Sequence, residues 1–199
     1  VVTVFPGSRT FEWKVLLPFY MQVVSELRDR IPKLQAVVAV SPFATDLAAA
    51  YDLNLVEGRP YVACLEGERV VVISHRSELA IQAADLVLTL PGSNTLEIAA
   101  LERAMVVSLP LYHLEEIPLD GIAGMVGRIP WLGPALKRYA VRKFSERTPF
   151  AALPNRIAGR YIAPELRGEN LQPWEVTAVA YPLLIEDDVR ERMAKELHL

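Results

Sequence analysis

The chain has one cysteine, Cys64, which excludes an internal disulfide and any cysteine-rich zinc site and suits a reducing compartment. Histidine is scarce as well. His75, His113 and His198 lie far apart, no His/Cys/Asp cluster stands at ligand spacing, and no metal site is expected. The sequence shows no charged, apolar and cleavable leader, and no run of about 20 uninterrupted apolar residues reads as a membrane span. Charge of one sign is not in excess either. A net charge of −3 argues against a dedicated nucleic-acid binder, so no nucleic acid is expected as a partner. Val1 already lies in an apolar run, so the sequence reads as a portion of a longer protein.

What is present is a hydrophobic content of 52% in 199 residues, enough to bury the core of one α/β domain with an appendage. The run Val1-Val2-Thr3-Val4-Phe5 predicts a strand. From Phe11 to Arg30, Val15, Leu16, Phe19, Val23, Val24 and Leu27 recur at helical spacing, with Pro18 expected to kink the helix or mark its first turn. A buried strand over 34–40 and a short helix near 45–51 follow. Then Tyr61 to Leu65 and Arg69 to Ile73 flank Glu66-Gly67-Glu68 as a β-hairpin whose second arm joins the parallel core. Helices over 76–84 and 94–103 alternate with strands over 86–90 and 105–109. The alternation predicts a Rossmann-like parallel sheet with helices on both faces and ligands at the carboxyl ends of its strands. Residues 1–109 form this core. Prolines and glycines break up 110–150, a turn is expected at 164–168, and helices over 173–184 and 186–197 complete the domain within 151–199.

Two strands end in nearly the same way. Pro6-Gly7-Ser8-Arg9 follows the first, and Pro91-Gly92-Ser93-Asn94-Thr95-Leu96-Glu97 follows Asp85 to Leu90. A Pro-Gly-Ser turn opening a helix aims backbone N–H groups at an anion, and two of them in one domain suggest a bound diphosphate. Gly7 and Gly92 let the backbone approach, Ser8 and Ser93 add hydroxyls, and Arg9 brings a fork-shaped permanent charge suited to phosphate oxygens. Either turn alone also reads as an ordinary turn. Glu97 and Glu12, each just inside a helix, read alternatively as capping charges.

Pro6-Gly7-Ser8-Arg9-x-x-Glu12, Gly92-Ser93-x-Thr95-Leu96-Glu97 and a third block, Leu153-Pro154-Asn155-Arg156-Ile157-Ala158-Gly159-Arg160, together resemble the signatures of bacterial lipid-A-disaccharide synthases, in their order and spacing. The resemblance implies the C-terminal, nucleotide-sugar-binding half of a GT-B glycosyltransferase. It assigns Gly7, Ser8, Arg9, Gly92, Ser93, Asn94 and Thr95 to the diphosphate of a UDP-sugar, Glu97 to the ribose, Ser74 to a uracil contact and Asn155 to the cleft near the donor sugar. His75 reads as a solvated loop residue. Arg156 and Arg160 could pair with phosphates or with Glu165 and Glu169, and the surface-pair reading is preferred because exposed ion pairs are ordinary.

The implied reaction transfers an acylated glucosamine from UDP to an acylated glucosamine 1-phosphate with inversion. The UDP-sugar is then a substrate and no cofactor is needed. No catalytic residue is assigned here, because the general base is expected on an N-terminal domain outside this sequence, and this portion alone is expected to be inactive. Other readings remain open. One is a different GT-B UDP-N-acetylglucosamine transferase or epimerase, and another is a non-catalytic membrane or oligomerisation module.

Between Asp120 and Glu146 there is no acidic residue, while Arg128, Lys137, Arg138, Arg142 and Lys143 accompany Trp131, Tyr139, Phe144 and several aliphatic side chains. The stretch 121–144 fits an anionic membrane surface, and fits equally an insertion packed on the core or in a homodimer interface. A cytoplasmic protein, peripheral on the inner membrane, is the expected setting.

Overall fold

The computed structural model describes residues 1–42, 44, 50–56, 58–111 and 149–198. Seven strands make one sheet: β1 (Val2–Phe5), β2 (Ala36–Val40), β3 (Tyr61–Leu65), β4 (Glu68–Ser74), β5 (Leu86–Thr89), β6 (Met105–Pro110) and β7 (Glu165–Gly168). They lie in the order β3-β4-β2-β1-β5-β6-β7. Every neighbouring pair is parallel except β3 with β4. That pair turns on Glu66 and Gly67, at φ 49° and 83°, a two-residue hairpin with both central residues left-handed. As expected from the sequence, the second arm of the hairpin joins the parallel core through β2.

The long helix α1 (Thr10–Arg30) runs unbroken across Pro18. Pro18 and Lys14, one turn earlier, are both exposed, so the carbonyl that lacks a proline N–H partner is on the water side. The opposite side buries Trp13, Leu16, Leu17, Tyr20, Met21, Val23, Val24 and Leu27. These side chains join Val2, Val4, Val38, Val40, Val70 and Val72 in one cluster. At roughly 1.5–3 kcal/mol for each large side chain taken from water, this burial contributes substantially to the stability of the fold. Tyr20 is wholly buried and accepts a hydrogen bond from Ser108 Oγ (3.0 Å), and burial pushes its phenol pKa far up while the Ser108 bond acts in the other direction.

Alternate residues of the strands serve the other face. There Thr3 Oγ1 donates to the Ala80 carbonyl (2.8 Å) of α2 (Ser77–Gln82), and Ala39, Ile73 and Ala80 form a second small cluster. The remaining helices named among the described residues are α3 (Asn94–Ala100), α4 (Leu153–Ala158), α5 (Pro173–Ile185) and α6 (Asp187–Glu196). Helix α5 packs on α1, β5 and β6, and α3 packs on α4. The molecule is thus an α/β fold with a mostly parallel sheet, consistent with a Rossmann-like half of a GT-B enzyme.

One expectation is corrected. The stretch at 164–168 is not a turn: Glu165–Gly168 forms β7, parallel to β6 with Val107 opposite Glu165 and Pro110 opposite Gly168. Its four residues have no apolar alternation, and the strand exists because the edge of β6 supplies its hydrogen bonds. Two other expectations fall on residues that are not described, namely most of the short helix near 45–51 and the basic-apolar stretch 121–144. Among the described residues, no helix is long and apolar enough to cross a membrane.

Candidate functional site

The sheet register decides where the two Pro-Gly-Ser turns lie. Phe5, the last residue of β1, pairs with Thr89, the last of β5. The next residues, Pro6–Arg9 and Leu90–Ser93, therefore leave the carboxyl edge of the sheet from adjacent strands. After β1 the chain crosses to β2, and after β5 it crosses to β6 on the other side. The two turns thus flank the topological switch point, the place where open parallel sheets leave a crevice for a ligand.

The first turn is held from within α1. Gly7 has φ 116°, a conformation that side chains rarely adopt, and its carbonyl accepts from Trp13 Nε1 (3.1 Å). Glu12 reaches back to this turn. Its Oε2 accepts from the backbone N–H groups of Ser8 (2.7 Å) and Arg9 (3.1 Å). This corrects the expectation that the turn offers those N–H groups to a ligand, because an internal carboxylate already occupies them. Of the two readings of Glu12, the structure shows the capping one: its carboxylate takes the N–H of the N-cap residue Arg9, whose own side chain, a donor only, makes no cap bond. What remains outward is the Arg9 guanidinium. Its side chain is about half exposed and, among the described residues, has a long contact to Glu12 Oε1 (3.5 Å) and a place over the Phe11 ring, 5.9 Å from the centroid.

In the second turn, the Gly92 carbonyl accepts from Thr95 N (3.2 Å) and Thr95 Oγ1 (2.7 Å), and Asn94 Nδ2 turns back to Thr89 Oγ1. Thr95 is wholly buried and also accepts from Leu153 N (3.3 Å), tying α3 to α4. Asn94 and Thr95 are therefore committed within the protein. Ser93 is exposed, and its hydroxyl has no partner among the described residues.

Glu97, in the first turn of α3, accepts from Ser77 Oγ at 2.7 Å through Oε1. Ser77 opens α2, just past the carboxyl end of β4. The bond therefore joins the loop after β4 to the helix after β5, although β2 and β1 lie between those strands. Before that loop Ser74, the last residue of β4, is buried, its hydroxyl directed to the Val56 carbonyl (3.5 Å) and its own carbonyl accepting from Gly58 N (3.2 Å). His75 follows at φ 59° and is exposed. Arg76 pairs with Glu78, and that hydrogen bond holds the Glu78 carboxyl below its ordinary pKa. Sequence reasoning missed Ser77. A serine directly after a strand end was the only available signal, and it is a common one.

Asn155 does not present its side chain to a cleft. It is wholly buried, and its amide is fully used. Nδ2 donates to the Ala163 carbonyl (2.8 Å) and Glu165 Oε1 (2.8 Å), while Oδ1 accepts from Ile162 N (2.8 Å) and Ala163 N (2.9 Å). Glu165 in turn accepts from Ala151 N (2.7 Å) and Ala152 N (2.9 Å) at the start of α4. The third sequence block is thus a closed polar bracket joining α4 to β7. Arg160 pairs with Glu196 and not with Glu165 or Glu169. Arg156 is exposed and has no partner among the described residues. No group of side chains able to hold a metal ion occurs among the described residues.

Comparison with known proteins gives a consistent result. The family model for lipid-A-disaccharide synthetase matches residues 1–120. The lipid-A-disaccharide synthase of Burkholderia lata is 29% identical over 198 residues, covering 99% of this chain and 42% of that protein. Those of Burkholderia pseudomallei, at 28% identity, and Burkholderia vietnamiensis, at 29%, match over the same shares. The chain therefore spans 42% of the length of these curated relatives.

Proposed function

The chain belongs to the lipid-A-disaccharide synthetase family, and from that premise we propose that it is the nucleotide-sugar-binding, C-terminal half of an inverting GT-B glycosyltransferase. The observation that carries this reading is the pairing of Phe5 with Thr89, which brings the turns at Gly7 and Gly92 to adjacent strand ends at the switch point. Arg9 binds the diphosphate of a UDP-sugar, assisted by the Ser8 and Ser93 hydroxyls and the second turn. Glu97 accepts from the ribose hydroxyls, and the backbone beside Ser74 meets the uracil. Asn155 supports α4 from inside and takes no part in donor contact.

In the reaction, an acceptor hydroxyl oxygen bonds to the anomeric carbon of an acylated glucosamine as the bond to UDP breaks. The acceptor is an acylated glucosamine 1-phosphate, and its proton passes to a base outside this chain. Negative charge grows on the diphosphate as it leaves. A guanidinium already in place there stabilises the transition state more than the ground state. The stretch 121–144 contacts an anionic bilayer and brings the acylated substrates within reach, in keeping with a cytoplasmic, peripheral protein.

Calorimetric titration of the full chain with UDP tests the reading. Binding is expected, and Arg9→Ala should weaken it by about tenfold, in the range of a lost charge-assisted phosphate contact. Absence of UDP binding sinks the proposal. Turnover of acylated but not unacylated UDP-glucosamine by the full-length enzyme would identify the donor.

A further inference from the structure

A carboxylate that must meet a vicinal diol works best if its plane is fixed before the nucleotide arrives, because ordering a free glutamate side chain on binding costs affinity. Glu97 is only partly buried, and among the described residues no group of its own helix hydrogen-bonds its carboxylate. The constraint comes from elsewhere. Ser77 Oγ donates to Glu97 Oε1 at 2.7 Å from the helix after β4, twenty positions away in the chain. A serine at a helix start ordinarily turns its hydroxyl to the local backbone. Here the N-cap position belongs to Arg76, which makes no side-chain cap bond, and Ser77 in the first helical position reaches across instead.

The backbone favours this reach. Ser74 is fixed under the Val56 carbonyl, and His75 takes a left-handed conformation uncommon outside glycine, redirecting the chain between the end of β4 and Ser77. A carboxylate has about four lone-pair sites, and Ser77 occupies one of them. Among the described residues, Glu97 Oε2 has no hydrogen-bond partner.

We propose that Ser77 is a positioning residue for nucleotide recognition: its hydroxyl holds Glu97 Oε1 so that the carboxylate presents its remaining acceptors to a ribose diol in one orientation. The proposal rests on the ribose role given to Glu97 above. It makes the loop after β4 and the helix after β5 a single recognition unit, so base-side and ribose-side contacts are coupled through one hydrogen bond.

The test is a titration series on the full chain with UDP and with 2′,3′-dideoxy-UDP, using the wild type, S77A, S77T, E97A and the double variant S77A/E97A. Ser77→Ala is expected to weaken UDP binding about fivefold, less than the loss of a direct hydrogen bond to a charged group because Ser77 acts through Glu97, and to leave dideoxy-UDP binding unchanged within about twofold. Ser77→Thr keeps the hydroxyl and should restore UDP affinity. In the E97A background, S77A should have no further effect. Equal weakening of both ligands by S77A, or effects of S77A and E97A that simply add, overturns the positioning role and leaves Ser77 as a structural tie. If E97A binds UDP as tightly as the wild type, the ribose role of Glu97 itself has failed, and the positioning role fails with it. Thermal unfolding of each variant confirms that the fold is intact.

Discussion

Gly7→Ala should destabilise the fold by about 3 kcal/mol, lowering the melting temperature by roughly 6–12 °C for a chain of this size. Two costs combine. The backbone at Gly7 has φ 116°, which an alanine adopts only under strain. A Cβ there would also stand 2.7 Å from Glu12 Cβ and 3.0 Å from Glu12 Cδ, and would overlap Oε2. Glu12 must then leave Ser8 N and Arg9 N, a part-buried and an exposed donor that both lose a charged acceptor. The same displacement frees Arg9 from its place above Phe11, so UDP affinity should fall together with stability. A double-mutant cycle with Glu12→Ala isolates the part of the collision that involves the carboxylate end. Alanine keeps Cβ but removes Cδ and Oε2, so two of the three close approaches disappear, and G7A should cost less in the E12A background than alone, by more than about 0.5 kcal/mol. Additive behaviour in denaturant titrations would mean that Gly7 is required for its backbone angle and for clearance from Cβ of residue 12, not for room beside the carboxylate.

The second large effect concerns the polar bracket between α4 and β7. Asn155→Leu fills a similar volume but leaves Ile162 N, Ala163 N and the Ala163 carbonyl without their partner, and removes one donor from Glu165. Each stranded buried group costs about 1–3 kcal/mol, so a loss of about 4 kcal/mol is expected. Urea unfolding should show it as a fall in midpoint with little change in slope. Asn155→Asp adds a pH signature. The introduced carboxyl keeps one oxygen for Ile162 N and Ala163 N, but its second oxygen replaces a donor and meets two acceptors, the Ala163 carbonyl and Glu165 Oε1. Proximity to a like charge favours its protonated form, so its folded-state pKa lies above its unfolded value of about 3.9. The folded variant then binds more protons than the unfolded one, and its stability relative to wild type is greatest below the unfolded value and declines as pH rises through the folded one. If N155D tracked wild type across that range, the bracket would not be a closed network.

The parts of the molecule that follow from local patterning could be read in advance. The apolar runs at Val2–Phe5, Ala36–Val40 and Leu86–Thr89 became central parallel strands, and Glu66-Gly67 became a hairpin turn, because burial on both faces and left-handed turn geometry each leave a sequence trace. The relation between the two Pro-Gly-Ser turns was also visible as a repeated strand-turn-helix phrase. The assignments that failed depend on partners distant in the chain. Glu165–Gly168 is a strand only because β6 lies beside it. Asn155 is used up by residues seven to ten positions onward, and nothing in Leu153-Pro154-Asn155 signals this. Glu12 was recognised as a capping candidate, but the N–H groups it takes are those the turn was expected to offer outward. Ser77 carries no pattern of its own, and its role appears only when β4 and β5 are placed in one sheet.

The late edge strand has one more consequence. Leu111 N donates to the Gly168 carbonyl (2.8 Å), and the Pro149 carbonyl accepts from Tyr161 Oη (3.0 Å) and Arg167 Nη2 (3.2 Å), so both ends of the intervening sequence are fastened beside the same pair of strands. The entropy of closing such an excursion grows only with the logarithm of its length, about 0.6 kcal/mol for each doubling. The stretch between these anchors can therefore be lengthened, shortened or rewritten at little cost to the sheet that holds its two ends.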